Sequence, residues 1–403
     1  MKKTSILSLA LCLAGASQVM AANIDLYITG STAFRKNAYA ACSKLFDTAQ
    51  AGNNGAGAAG SSDSRWTMTG TAVTAGLTTG TDTLTIHALW NGSVQGLSGL
   101  LNKDQLVYLA SGTAGVTNQV TNSCSVALSD VFSSPTIDPL PSGSFTEKKV
   151  AVQPFVFVKS KGLGGVQSIN NISWQQLVTL LGSSGGAAPL SYFTGNFNDY
   201  STNIYLVHRT LDSGTRVATV QEAKYVGSIT VNYYDPVGDA FFSAPTNRGP
   251  AVFGPGYVGG SDVKTVMQYA TAGNQSIGYL SFADAQGITG VNWEKVISFN
   301  GSYPTLNFVP GVNPTTNDFS PVITGEYSFW AFEMLDYPKT SQWSTYTDQN
   351  LTYAQLTAFI NKFSGTGVGS IDNEIANSGA LRTAIRLSEM QVSRAAVGGV
   401  IAP

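Results

Sequence analysis

The chain opens with alternating polar and apolar positions, and Asn23 to Ile28 (NIDLYI) reads as a strand with one buried face. The period then changes. After Thr29-Gly30-Ser31-Thr32, the residues Phe34, Ala38, Ala41 and Leu45 fall on one helical stripe. Trp66 to Ala75 and Thr81 to Trp90 carry Thr/Val alternation and read as strands. Asn91-Gly92-Ser93 ends the second of these, and Gly96 to Leu101 begins a helix. In mid-chain the same order returns. Asn203 to Val207 alternates as a strand, Asp212-Ser213-Gly214-Thr215 makes the turn, and Val217, Val220 and Tyr225 sit near one face of a helix. A short apolar run, Cys124 to Leu128, ends in Ser129-Asp130-Val131-Phe132, which places Asp130 at a strand end.

Other segments are plainer. Lys149 to Ser160 is a long β-rich run interrupted by Pro154, as a strand crossing between two lobes would be. Helices are expected over Ile172–Leu181, capped by Ser173, and over Ser261–Thr271, Tyr353–Ser364 and Ile375–Val392. Strands are expected over Ser228–Tyr234, Gln275–Leu280 and Val296–Phe299, and Ser328–Met334 is an aromatic-rich buried stretch. Ala51–Ser64, Gly182–Asn203 and Gly238–Gly260 are rich in turn residues and read as irregular excursions. There is no internal repeat of fixed period.

The strand-turn-helix joints carry the candidate chemistry. The first N–H groups of a helix have no partner within it, and its N-terminus carries about half a positive charge, so such a joint binds oxyanions. At the central joint, Arg209 adds a guanidinium, and Ser213 and Thr215 add hydroxyl donors. Ordinary capped turns would use the same residues, and Asp130 would serve equally as a turn residue.

Composition narrows the classes. A length of 403 residues allows two or three domains, and 43% hydrophobic residues exclude a wholly disordered chain. Charged residues make up only 11%, so the surface is polar and neutral. Lys2, Lys3, the apolar Ile6–Ala16 and Val19-Met20-Ala21 form a secretory leader over residues 1–21, too short to span a membrane. Its loss makes the net charge of −2 more negative, which leaves no electrostatic footprint for nucleic acid. Cys42 and Cys124 would remain, an even pair that suggests a disulfide in an exported chain. The two histidines, His87 and His208, have no metal-ligand spacing.

Six segments, taken in order, resemble those of the phosphate-specific periplasmic binding proteins of ABC transporters. TGSTAF at Thr29–Phe34 is similar to that family's first phosphate loop, and NGSVQG at Asn91–Gly96 to its Gly-Ser loop. ALSDVF at Ala127–Phe132 resembles its Ser-Asp element, and RTLDSGTR at Arg209–Arg216 its Arg-x-x-x-Ser-Gly-Thr loop. SIGYLSFADA at Ser276–Ala285 and GEYSFW at Gly325–Trp330 resemble two later segments. The chain departs from the family at Leu211, where many phosphate binders have an acidic residue that holds the Arg, and at Arg35, where Pro is often found.

The resemblance implies an α/β, two-lobed class II periplasmic binding protein fold, with mixed sheets flanked by helices and a hinge of two chain crossings. Residues 23–152 and 286–403 would form one lobe and 153–285 the other. It implies inorganic phosphate as ligand, held by Ser31, Thr32, Ala33, Ser93, Asp130, Arg209, Ser213, Gly214 and Thr215, with Asp130 accepting from a protonated oxygen. It further implies a membrane permease and ATPase as partners, no cofactor, no nucleic acid, a monomeric chain and a place in the periplasm or at the cell surface. Other readings stay open: a binder of another oxyanion, a structural or sensory surface protein, or an enzyme with Ser213 as nucleophile, His208 as base and Asp130 as orienter.

Overall fold

The computed structural model describes residues 22–47, 51–55, 57–72, 74–79, 81–110, 118–133, 145–160, 168–183, 186–229, 233–235, 240–242, 256–269, 275–286, 296–306, 308–309 and 314–403. The expected leader lies outside them. Among the described residues no helix is long and apolar enough to cross a membrane.

Strand β1 (Asn23–Gly30) leads into helix α1 (Arg35–Ser43). A short β2 (Ala51–Asn53), then β3 (Arg65–Thr71) and β4 (Thr83–Leu89) follow, and α2 (Ser93–Asn102) leaves the end of β4. The antiparallel pair β5 (Leu106–Leu109) and β6 (Gln119–Asn122) precedes β7 (Val126–Ser129) and the long β8 (Thr146–Lys159). Mid-chain come β9 (Asn171–Ile172), α3 (Trp174–Gly182), β10 (Ala187–Pro189), α4 (Ser191–Thr194), β11 (Asn203–Val207) and α5 (Gly214–Glu222). The pair β12 (Tyr233–Asp235) and β13 (Ala240–Phe242) is followed by α6 (Gly260–Tyr269), β14 (Gln275–Ser281) and α7 (Phe282–Gln286). The last third holds β15 (Val296–Phe299), α8 (Ser320–Ile323), β16 (Trp330–Tyr337), α9 (Thr340–Trp343), α10 (Tyr353–Phe363) and α11 (Ile371–Asn377).

One mixed sheet runs in the order β10-β11-β14-β8-β16-β7-β1-β4-β3-β2, with β15 paired to β8 off this path and β9 paired to β15. Strand β8 is shared. Its residues Thr146–Pro154 pair with β16, and Phe155–Lys159 pair with β14. Pro154 stands at the handover, where the lack of an N–H donor does the least harm. The next amide, Phe155, donates to the Phe329 carbonyl at 3.0 Å. β15 also pairs with this second half of β8, and with β9.

Helices cover both faces. Ile24, Leu26 and Ile28 of β1 pack into one cluster with Phe359 and Phe363 of α10 and Ile371 and Ile375 of α11. Leu97 and Leu100 of α2 belong to another, which continues past Phe157 and Tyr279 under the second half of the sheet. The architecture is therefore mixed α/β, a large mixed sheet flanked by helices, as the strand-turn-helix pattern predicts. Local signals fixed several boundaries. Ser173 and Gln176 form a reciprocal capping box on α3, and Thr352 and Gln355 form one on α10.

Three expectations need correction. The C-terminal helix over Ile375–Val392 does not form. α11 stops at Asn377, Gly379 turns with φ of 78°, and Ile385 bridges to Val152 as extended chain. The stretch from Ala51 is not wholly loop, because Ala51–Asn53 adds a strand to β3. Cys42 and Cys124 are free thiols, both buried. Cys42 lies in the α1 cluster and Cys124 in the other, so the sheet separates them. Of the expected strand Ser228–Tyr234, residues 228 and 229 lie outside any strand, 230–232 lie outside the described residues, and Tyr233 opens the short β12 (Tyr233–Asp235).

Burial raises both thiols well above the usual range, so neither forms thiolate near neutral pH. A thiol reagent applied to residues 22–403 without reductant should find no reactive group in the folded state and two after denaturation. Absence of thiols in the denatured sample would restore the disulfide.

Candidate functional site

Four joints meet at the C-terminal ends of the parallel strands, where open α/β sheets place their ligands. β1 ends at Gly30, and the Ser31 amide continues the sheet by donating to the Leu128 carbonyl at 2.8 Å. α1 begins at Arg35 with Phe34 at the N-cap and no side-chain cap, so the hydroxyls of Ser31 and Thr32 are not used as caps. α2 begins at Ser93 behind Gly92, whose φ of 117° is a conformation that residues with a Cβ rarely adopt. α5 begins at Gly214, and Ser213 caps it by accepting from the Arg216 amide at 3.3 Å.

Asp130, just beyond β7, is the common neighbour. Its carboxylate accepts from the Ser93 hydroxyl and, at 3.4 Å, from the Thr215 hydroxyl. Gly214 passes so close that a Cβ there would lie 1.6 Å from Asp130 Oδ1, which explains why that position carries no side chain. The α2 and α5 joints are tied directly, since the Val94 amide donates to the Asp212 carbonyl at 3.0 Å. Burial raises the Asp130 pKa, while the Ser93 hydrogen bond and the nearby Arg209 charge pull it back.

Arg209 is 1% exposed. Its Nε donates to the Tyr257 carbonyl at 3.1 Å, and its Nη2 to the Val258 carbonyl at 2.7 Å and to Thr32 Oγ1 at 3.0 Å. Its Nη1 is buried and has no hydrogen-bond partner among the described residues. No ion pair joins it directly to Asp130. Leu211, at the position where an acidic residue was expected to hold the Arg, is 40% exposed. Backbone carbonyls of Tyr257 and Val258 hold the guanidinium instead.

All nine expected residues thus lie on the converging joints, and Ala33 is buried with them. The ones that make direct contact are Thr32 with Arg209, and Ser93, Gly214 and Thr215 with Asp130. Ser213 keeps its oxygen for the helix cap. The triad is not assembled. His208 Nδ1 bonds to the Tyr279 hydroxyl, and its ring is held neutral by burial, then by the Arg216 charge. Among the described residues no group of His, Cys, Asp and Glu could hold a metal ion.

Sequence reasoning missed several members. Tyr279 accepts from the Arg209 amide at 3.1 Å, and Arg216 Nη1 donates to the Arg209 carbonyl at 3.0 Å. Arg35 pairs with Asp284 at 2.8 Å, both buried, which ties the start of α1 to α7. Glu333, fully buried on β16, also lies beside the site. An acid within the apolar run Trp330–Tyr337 was the signal that could have found it.

No protein-family model matches the chain, and no curated protein does. Solved structures do. One, from Clostridium perfringens, is described as a candidate phosphate ABC transporter substrate-binding protein with bound phosphate. It is 13% identical, with 90% of this chain and 99% of that chain covered and a TM-score of 0.47. An ABC-type phosphate transport receptor from Vibrio cholerae is 14% identical over 89% of this chain and 99% of that chain, with a TM-score of 0.44. The reduced regulatory domain of OxyR2 from Vibrio vulnificus is 9% identical over 84% of this chain and 95% of that chain, with a TM-score of 0.34.

Proposed function

We propose that the chain is an exported binding protein for a protonated oxyanion, inorganic phosphate first among them, which it delivers to an ABC transporter permease and ATPase. One observation carries this reading. A buried guanidinium with an unpartnered Nη1 stands beside a buried carboxylate, where the N-termini of α1, α2 and α5 converge. A fully deprotonated anion would satisfy Arg209 and the helix N-termini but meet Asp130 lone pair to lone pair. An anion with one proton satisfies both sides, donating to Asp130 and accepting from Arg209. The ligand would sit between two lobes, 23–152 with 286–403 and 153–285, that close about it. Thr32 and Arg209 come from the two sides.

The test is calorimetry and thermal shift of residues 22–403 against phosphate, sulfate, arsenate and molybdate. Phosphate at about a hundredfold excess over Kd should stabilise the protein by about 2.7 kcal/mol. The absence of any response to these anions would end the oxyanion reading and favour the structural surface protein.

Arg209→Ala should weaken phosphate binding by about 2–5 kcal/mol, because the anion loses its buried charge partner. Affinity equal to that of the wild type would place the site elsewhere.

Asp130→Asn should admit sulfate, since an amide can donate where the carboxylate repels. The wild type should do the same in acid. Its raised pKa makes Asp130 protonate at higher pH than an ordinary aspartate, so sulfate affinity should rise as pH falls. Sulfate titrations of both proteins across pH decide this. Equal exclusion by both would return Asp130 to the role of a turn residue.

A further inference from the structure

Glu333 lies on β16 with no solvent exposure, and neither carboxyl oxygen has a hydrogen-bond partner among the described residues. Its place follows from register. β16 runs antiparallel to β7 with Met334 opposite Ser129, so the next step along both strands sets Glu333 opposite Asp130. Cross-strand partners project to the same face. On the other side of β16 the register with β8 shifts between Glu333 and Met334, so that Val150 is an extra residue. Bulges of this kind re-aim side chains beside sites.

The charges that act on Glu333 are Asp130 beyond β7 and Asp336 on its own strand, and the Ser31 hydroxyl at the end of β1 lies nearby without hydrogen-bond geometry to it. Glu147 of β8 acts in turn on Asp336. Lys149 of β8 instead stacks over Phe332, the side chain next to Glu333 and on the other face of β16. The strongest effect on Glu333 is burial, followed by the Asp130 charge, and both oppose its ionisation.

We infer that Glu333 is the second carboxyl of the anion site, a neutral acid whose proton keeps Asp130 the sole negative charge that the ligand meets. This rests on the oxyanion reading above. Were Glu333 to ionise, two carboxylates would face one anion, and Arg209 could no longer offset them. Glu333 is thus a specificity-determining residue that acts through Asp130 and Ser31. It makes affinity depend on pH on the alkaline side, where the phosphate dianion itself does not change its proton count.

The experiment is phosphate calorimetry on residues 22–403 at close intervals from about pH 8, where phosphate is already the dianion, to about pH 9.5, below the range of ordinary tyrosine and lysine titration. Wild-type affinity should reach a break and then fall, approaching about tenfold per pH unit, the slope of a one-proton linkage. In Glu333→Gln, which cannot ionise, that fall should be absent. In Asp130→Asn the break should move to lower pH, because the charge that opposes ionisation of Glu333 is gone. This second variant keeps Glu333 in place, and so serves even if the glutamine protein folds poorly. A wild-type fall that persists in Glu333→Gln overturns the proposal, as does a profile that stays flat in both the wild type and Asp130→Asn, or a wild-type break that does not move in Asp130→Asn. Lack of phosphate binding at every pH would instead sink the oxyanion reading itself, and this inference with it.

Discussion

A guanidinium that keeps its charge at any ordinary pH is held almost wholly out of water at Arg209. Desolvating such a group is costly unless its donors are matched, and the surrounding structure is arranged to match them. The carbonyls of Tyr257 and Val258 come from the segment before α6, the Thr32 hydroxyl from the turn before α1, and Tyr279 from β14 fixes the Arg209 backbone. The opposing acceptor, Asp130, is positioned by α2 through Ser93 and by α5 through Thr215. Displacing any of these elements would strand either a buried cation or a buried carboxylate. The mixed sheet is what holds four distant stretches of chain at one edge.

The ionised groups around the joints are unequal in number. Arg35 and Asp284 neutralise each other at 2.8 Å. Arg209 and Arg216 are further cations there, Arg209 with Asp130 nearby, and the helix N-termini add partial positive charge. Burial and neighbouring carboxylates push Glu333 and Asp336 well above the carboxylate range, which keeps both neutral. Such groups have a definite effect on stability. A carboxyl whose folded pKa is raised favours the folded state most below its unfolded pKa, and that advantage declines as pH rises toward the folded value. His208 acts in the opposite sense: its depressed pKa removes stability as pH falls below the unfolded histidine range. Glu333 and Asp336 do not help the fold at neutral pH, and a glutamine or an apolar residue would bury with less penalty. Their presence fits a role in setting local charge better than one in holding the sheet together.

Much of this was legible because the joints are local. A strand, a turn of Gly, Ser and Thr, and a helical stripe occupy fewer than about thirty residues, so NIDLYI with TGSTAF, or NIYLV with DSGT, can be read without knowing the tertiary structure. Capping did the same for α3 and α10. What escaped the sequence reading was non-local or carried by the backbone. Carbonyls of Tyr257 and Val258 hold Arg209 from 48 and 49 residues away, and a carbonyl has no side-chain signature. Glu333 approaches Asp130 through strand pairing between segments some 200 residues apart, which no local period reports. The C-terminal stretch has helical spacing as far as Asn377, but the sheet offered Ile385 a partner in Val152 that extended chain alone can use. The cysteines were paired by count, and count says nothing of which face of a sheet each residue takes.

Hydrogen-bond partners keep the three residues of the candidate relay apart. The Tyr279 hydroxyl accepts from the Arg209 amide and shares a second hydrogen bond with His208 Nδ1. His208 Nε2 is buried and has no hydrogen-bond partner among the described residues, so no bond joins the ring to Ser213. Ser213 is committed in a complementary way, since its oxygen accepts the first-turn amide of α5. Asp130 is turned to Ser93 and Thr215, away from the histidine. Each of the three residues that could have formed a relay is fixed in a different network. What those networks leave facing the joint is the unpartnered Nη1 of Arg209, with its two N–H donors, and the Asp130 carboxylate, a donor and an acceptor side by side.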